Sequence, residues 1–165
     1  MVKHTSKEEI LRLLDQVFDP EIPTLTIREM GMLRGVEISK EGKVTIRFTP
    51  TYSGCPATDL IKVDIKAVLQ ENGIEAFEII DVLSPPWTTD DFTEEARKKL
   101  RDNGIAPPVQ ATSDKSFVLD SPKIVPCPYC QSENTELLSN FGTTACKALY
   151  RCKSCLQPFD YFKCH

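Results

Sequence analysis

Two Cys-x-x-Cys pairs, Cys127-Pro128-Tyr129-Cys130 and Cys152-Lys153-Ser154-Cys155, constrain the last third of this chain more than any other feature. Each pair turns two thiolates toward one point, and a spacer over residues 131–151 is long enough for a hairpin that brings the pairs into a tetrahedron. A segment of about 40 residues with few large apolar side chains lies near the size below which domains need a metal or cross-links. Metal binding there is folding energy, on the order of 10 to 16 kcal/mol for structural zinc. The expected domain is a zinc ribbon over residues 126–165, with structural Zn2+ held by Cys127, Cys130, Cys152 and Cys155. An iron-sulfur cluster could use the same four thiolates, and metal analysis separates the two. A closed four-thiolate site leaves no coordination position for water or substrate, so its role is scaffolding or docking.

The chain carries seven cysteines, a number that would suit a secreted disulfide scaffold. Its start, Met1-Val2-Lys3-His4-Thr5-Ser6-Lys7, runs straight into charges, and no apolar run approaches a membrane span. A cytoplasmic protein is therefore expected, and metal or thiol chemistry gains weight over disulfides. Cys146 and Cys164, with His165 beside the latter, are left over from the four-thiolate set. They read either as a secondary metal or thiol site or as small buried hydrophobes packing the ribbon. His4 reads as solvent-facing.

Upstream, Ser6-Lys7-Glu8-Glu9 has the capping-box pattern and leads into Ile10, Leu11, Leu13, Leu14, Val17 and Phe18 at helical spacing, which predicts a helix ending near Asp19-Pro20. Thr26 and Glu29 repeat the pattern over one turn that Gly31 closes. Leu33 to Ile38 and Val44 to Phe48 read as a β-hairpin, and Leu60 to Leu69 as a helix stopped by Asn72-Gly73. Ile74 to Leu83 reads as a third strand, and Asp91 with Glu94 as the cap of a helix ended by Asn103-Gly104. The predicted fold class is α/β (α+β): a small mixed-sheet α/β sandwich over residues 1–105, a Pro- and Ser-rich linker over 106–125, then the ribbon.

Cys55 differs in kind from the other cysteines. It precedes Pro56, and proline favours the first position of a helix, so the sulfur is expected at a helix start beside unpaired N–H groups and the positive end of the dipole. A thiol there is expected to have a lowered pKa and to be reactive or metal-binding, and the plainer alternative is a buried structural thiol. Thr49, Thr51, Tyr52 and Ser53 offer hydroxyls in the preceding loop. Asp19 and Glu21 could supply oxygen ligands or simply cap a turn.

The net charge of −4 is uneven: residues 121–165 hold five Lys/Arg against three Asp/Glu, which leaves fifteen against twenty-one upstream. An acidic body without a basic stripe argues against a nucleic-acid binder. The chain has no glycine-rich phosphate loop, and its two histidines lie at the termini, so no Ser-His-Asp set can form and no independent turnover is expected. A dithiol oxidoreductase built on Cys127 and Cys130 conflicts with the second pair, which points to metal.

The string Asp19-Pro20-Glu21-Ile22-Pro23, the turn Leu25-Thr26-Ile27 leading to Gly31, and Thr49-Pro50-Thr51-Tyr52-Ser53-Gly54-Cys55-Pro56 together resemble the SufT-like iron-sulfur assembly family. In that family the reactive cysteine falls on Cys55. The tail, with Phe141-Gly142-Thr143-Thr144-Ala145-Cys146 and Pro158-Phe159-Asp160-Tyr161-Phe162-Lys163-Cys164-His165, resembles the PaaD family of bacterial phenylacetate degradation. That resemblance implies an accessory role toward the metal centres, iron-sulfur or di-iron, of the phenylacetyl-CoA epoxidase, with Cys55 passing an iron-sulfur cluster transiently. Its implied partners are the oxygenase and reductase subunits and the iron-sulfur assembly machinery; no membrane partner is expected, because no apolar run approaches a span. The alternative is a stoichiometric structural subunit that handles no clusters.

Overall fold

The structure, a computed structural model, describes residues 5–109 and 124–163. The chain divides into two compact units, Met1–Thr93 and Glu94–His165.

In the first unit, α1 (Lys7–Leu14) starts where Ser6 Oγ accepts the N–H of Glu9 at 3.2 Å, and it buries Ile10 and Leu14. The strands β1 (Leu33–Ile38) and β2 (Val44–Phe48) form the expected antiparallel hairpin. Helix α2 (Ala57–Glu71) carries Ala57, Ile61, Ile65 and Leu69 on one buried stripe at steps of four. It returns the chain to β3 (Phe77–Asp81), which pairs parallel with β2 and gives the order β1-β2-β3. Val36, Ile46 and Phe48 from the hairpin and Leu25, Ile27, Met30 and Met32 from the loop before it complete the core.

Three sequence expectations shift at their edges. Helix α1 stops at Leu14 instead of running to Asp19, because the chain turns to bridge Phe18 with Thr26 while Ile27 donates its N–H to Val17 O. Strand β3 is shorter than Ile74 to Leu83, since its partner β2 offers only five residues to pair with. Asp91 caps a 3-10 turn (Thr89–Asp91) in a capping box with Thr88, and the next helix begins separately at Glu94. The Thr26–Glu29 turn forms as expected, with Thr26 N–H on Glu29 Oε2 at 3.0 Å and Glu29 N–H on Thr26 Oγ1 at 3.2 Å.

The second unit comprises α3 (Glu94–Asp102), β4 (Ile105–Ala106), β5 (Thr135–Ser139), β6 (Lys147–Cys152) and β7 (Pro158–Phe162), with sheet order β4-β7-β6-β5. The sequence pattern ends the first domain at residue 105, but α3 groups with the ribbon. The physical tie is β4, whose Ile105 and Ala106 pair parallel with Asp160 and Tyr161. Tyr150 stacks on Phe159 at 5.9 Å and meets Tyr161 edge-on at 5.7 Å, and these rings pack with Val125, Ala148 and the buried Cys127 and Cys152. The linker residues 110–123, together with His4, Cys164 and His165, lie outside the described residues. No helix among the described residues is long and apolar enough to cross a membrane.

Candidate metal centre and thiol loop

The two knuckles are built alike. In the first, Cys127 donates its N–H to Ser132 O at 3.0 Å; in the second, Cys152 donates to Gln157 O at 2.9 Å. Each closes on a residue with positive φ directly after its second cysteine, Gln131 at 62° and Leu156 at 64°. Those positions need the left-handed conformation to turn the chain back, and no glycine in the sequence announces them. Ser132 Oγ and Ser154 Oγ, 2.8 Å apart, join one knuckle to the other.

The geometry brings Cys127, Cys130, Cys152 and Cys155 together with all four sulfurs within 4.8 Å of one another. Cys127 Sγ lies 3.7 Å from Cys155 Sγ, and Cys130 Sγ 3.5 Å from Cys152 Sγ. Zinc–sulfur bonds of about 2.3 Å set tetrahedral edges of about 3.8 Å, so the set fits one ion at its centre. An iron-sulfur cluster places iron and sulfide between its cysteines and requires a wider cage. Electrostatics already favour one anion: the backbone N–H of Cys155, 3.5 Å from Cys152 Sγ, leads in drawing the Cys152 thiol down to about 6. Burial pushes the Cys127 thiol up. Bound zinc would be held by these four sulfurs and would act as a structural cross-link.

Cys55 stands one residue before Pro56, the N-cap of α2, and is buried. The expected low pKa is not found. Burial pushes the Cys55 thiol above its ordinary value, and the nearby negative charges of Glu21 and Asp19 push it further. The N–H of Ala57 pulls the other way, as the helix-start position predicts, but desolvation outweighs it. Thr58 Oγ1 lies near enough to favour the thiolate, yet among the described residues this buried hydroxyl has no hydrogen-bond partner.

The other expected loop residues divide. Asp19 and Glu21 come within electrostatic reach of Cys55, but the three do not gather as tightly as the ribbon thiols. Asp19 Oδ1 accepts the N–H groups of Glu21 and Ile22, each at 2.8 Å, so this carboxylate holds the Pro20–Pro23 loop in shape. Thr49 is buried with its N–H on Met32 O at 2.8 Å, Thr51 is half-buried and Ser53 exposed. None of these three bonds to Cys55 among the described residues. Cys146 is buried, with Sγ 3.0 Å from Thr144 Oγ1.

A small mixed sheet that presents one buried cysteine at a helix start, joined to a four-thiolate ribbon, defines a two-module protein of the iron-sulfur assembly and zinc-ribbon classes. Residues 7–76 match the family described as iron-sulfur cluster assembly protein, and residues 111–163 match the PaaD zinc beta ribbon domain. Over 156 residues, 94% of this chain and 92% of the relative, it is 51% identical to a putative 1,2-phenylacetyl-CoA epoxidase subunit of Escherichia coli (strain K12). The chain belongs to the PaaD family.

The first unit has wider relatives. An Fe-S protein maturation auxiliary factor of Porphyromonas gingivalis is 33% identical over 96 residues, which cover 58% of this chain and 90% of that protein. Among solved structures, a domain of unknown function, DUF59, from Bacillus anthracis superposes with a TM-score of 0.54 at 28% identity, covering 57% of this chain and 90% of the other.

Proposed function

We propose that this chain is a non-enzymatic accessory factor that acts in the cytoplasm on the metal centres, iron-sulfur or di-iron, of a multicomponent phenylacetyl-CoA epoxidase. In this reading Cys55 is a transient ligand for iron or a cluster on its way to the oxygenase or reductase subunit. The assembly machinery supplies that cargo, and the ribbon docks the client. The observation that carries the reading is the pairing of a buried thiol with two carboxylates. Glu21 and Asp19 disfavour a lone thiolate at Cys55, and the same charges favour a thiolate whose proton has been replaced by a cation. The similarity of the first unit to Fe-S protein maturation auxiliary factors supports it independently.

The test is to co-express the epoxidase subunits with the native chain or with Cys55→Ser, then measure iron and acid-labile sulfide per client. Less iron in the variant background, with the ribbon's zinc unchanged, is expected. Equal iron in both backgrounds would count against a maturation role. A second reading, a stoichiometric structural subunit, is favoured by the likeness over nearly the whole chain to an Escherichia coli protein named as part of the epoxidase itself. It predicts co-purification at fixed ratio with the catalytic subunits and no effect of Cys55→Ser on client iron.

A further inference from the structure

Within the second unit, beside the first knuckle, α3 and the chain that follows it line a half-open pocket of about 200 Å³. Its walls include Pro107, Pro108, Val109, Pro126 and Pro128, which are apolar, and the four prolines are stiff because proline fixes φ. Arg97 and Arg101, one helical turn apart on α3, line the same space. Like charges at that spacing work against a helix.

The two arginines are held differently. Arg97 is buried, donates from Nη1 to Pro108 O at 2.8 Å and has Nε 3.8 Å from the exposed Glu94 carboxylate, so it fixes the wall. Arg101 is half-buried and makes no side-chain hydrogen bond or ion pair among the described residues. A cation in the last turn of a helix gains from the dipole, and that alone would explain a solvent-facing arginine. It does not explain a half-buried arginine that finds no acceptor among the described residues and lines a pocket walled largely by proline.

We propose that this cavity is a recognition site for an organic carboxylate, with Arg101 receiving the carboxylate through its fork and the proline walls receiving the apolar group next to it. Guanidinium matches carboxylate geometry with two parallel hydrogen bonds. The volume is below the roughly 300 to 1,000 Å³ of sites that enclose drug-sized ligands, so the occupant is one acidic group with a short apolar body. Such a group can come from a free small molecule or from an acidic side chain of a partner protein.

The experiment uses the full zinc-loaded chain, isotopically labelled, and follows the amide signals of Val109 and Gln131 and the Nε–Hε signal of Arg101 by NMR. The probes are benzoate, the capped tripeptide acetyl-Ala-Leu-Glu-amide, and inorganic phosphate at equal ionic strength. Saturable shifts of all three signals with benzoate point to a small-molecule source, and stronger shifts with the peptide to a partner protein; either supports the site. Arg101→Gln, which retains zinc and helix content, is expected to weaken binding roughly tenfold or more. No saturable shift with either carboxylate would overturn the proposal. So would phosphate matching both carboxylates, or undiminished binding by Arg101→Gln.

Discussion

The hydroxyl of Tyr129 occupies the space that a side chain on Gly104 would need: a Cβ built at Gly104 would lie 2.3 Å from Tyr129 Oη and 3.0 Å from Cζ. Gly104 ends α3 with φ of +72°, so the glycine both turns the chain and receives a ring from the first zinc knuckle. This contact sets the end of α3 against the first knuckle inside the second unit. Gly104→Ala combines left-handed strain, about 1 to 2 kcal/mol for a non-glycine residue, with a steric clash, and should lower the stability of this unit by more than the strain alone. Denaturant unfolding with a probe in the ribbon measures it. A double-mutant cycle with Tyr129→Phe should recover the part due to the hydroxyl; purely additive effects would show that the contact does not couple the two residues.

Asp19 offers a separate test of what is structural in the thiol loop. Its carboxylate is buried and satisfies two backbone N–H groups, those of Glu21 and Ile22. Asp19→Ala should leave both donors without their acceptor and cost on the order of 2 kcal/mol of first-unit stability. Asp19→Asn keeps an oxygen in place and should cost less. If Ala and Asn cost the same, the hydrogen bonds to Oδ1 are not what holds this loop.

Helix α2 and the four-thiolate set are legible in the sequence because each rests on local spacing: Ile61, Ile65 and Leu69 fall on one helical stripe, and each cysteine pair closes over two residues. Strand β4 is not legible. Ile105-Ala106 is too short to show a period, and its partners, Asp160 and Tyr161, lie at the far end of the unit. For the same reason sequence order alone assigns α3 to the domain before it. The acidity of Cys55 is misjudged from sequence because local position supplies only the Ala57 N–H. The opposing influences are burial and the charges of Glu21 and Asp19, which come from a loop before the sheet. Likewise, the Arg97–Arg101 cavity depends on Pro107 to Val109 and Pro126 to Pro128 converging on one helix.

Removing the metal should separate the two units. With the sulfurs of Cys127, Cys130, Cys152 and Cys155 gathered within 4.8 Å, loss of a bound ion would leave four thiol groups crowded together without their cross-link. Much of the ribbon's folding energy, on the order of 10 kcal/mol, is metal binding. Chelation or Cys127→Ser, followed by limited proteolysis, should leave a resistant fragment ending near Thr93, because α3 belongs with the ribbon. A fragment that instead retains α3 to residue 105 would place that helix with the first unit.

Protonation of Cys55 couples to the stability of the first unit. A thiol whose folded pKa is raised stabilises the fold while protonated: its contribution is complete below the unfolded pKa, near 9, and is lost as pH rises through the higher folded value. Alkylation by iodoacetamide proceeds through the thiolate, so in zinc-loaded protein Cys55 should react more slowly at pH 8 than an unfolded cysteine, and accelerate only above pH 9. Glu21→Gln removes one of the charges that oppose the thiolate and should speed the reaction at pH 8 several-fold, without change in zinc content. Mass spectrometry of the modified peptide measures both rates. Should Glu21→Gln leave the rate and its pH dependence unchanged, the carboxylate does not act on the sulfur, and the cation-attracting pair on which the proposed transfer role rests would be lost.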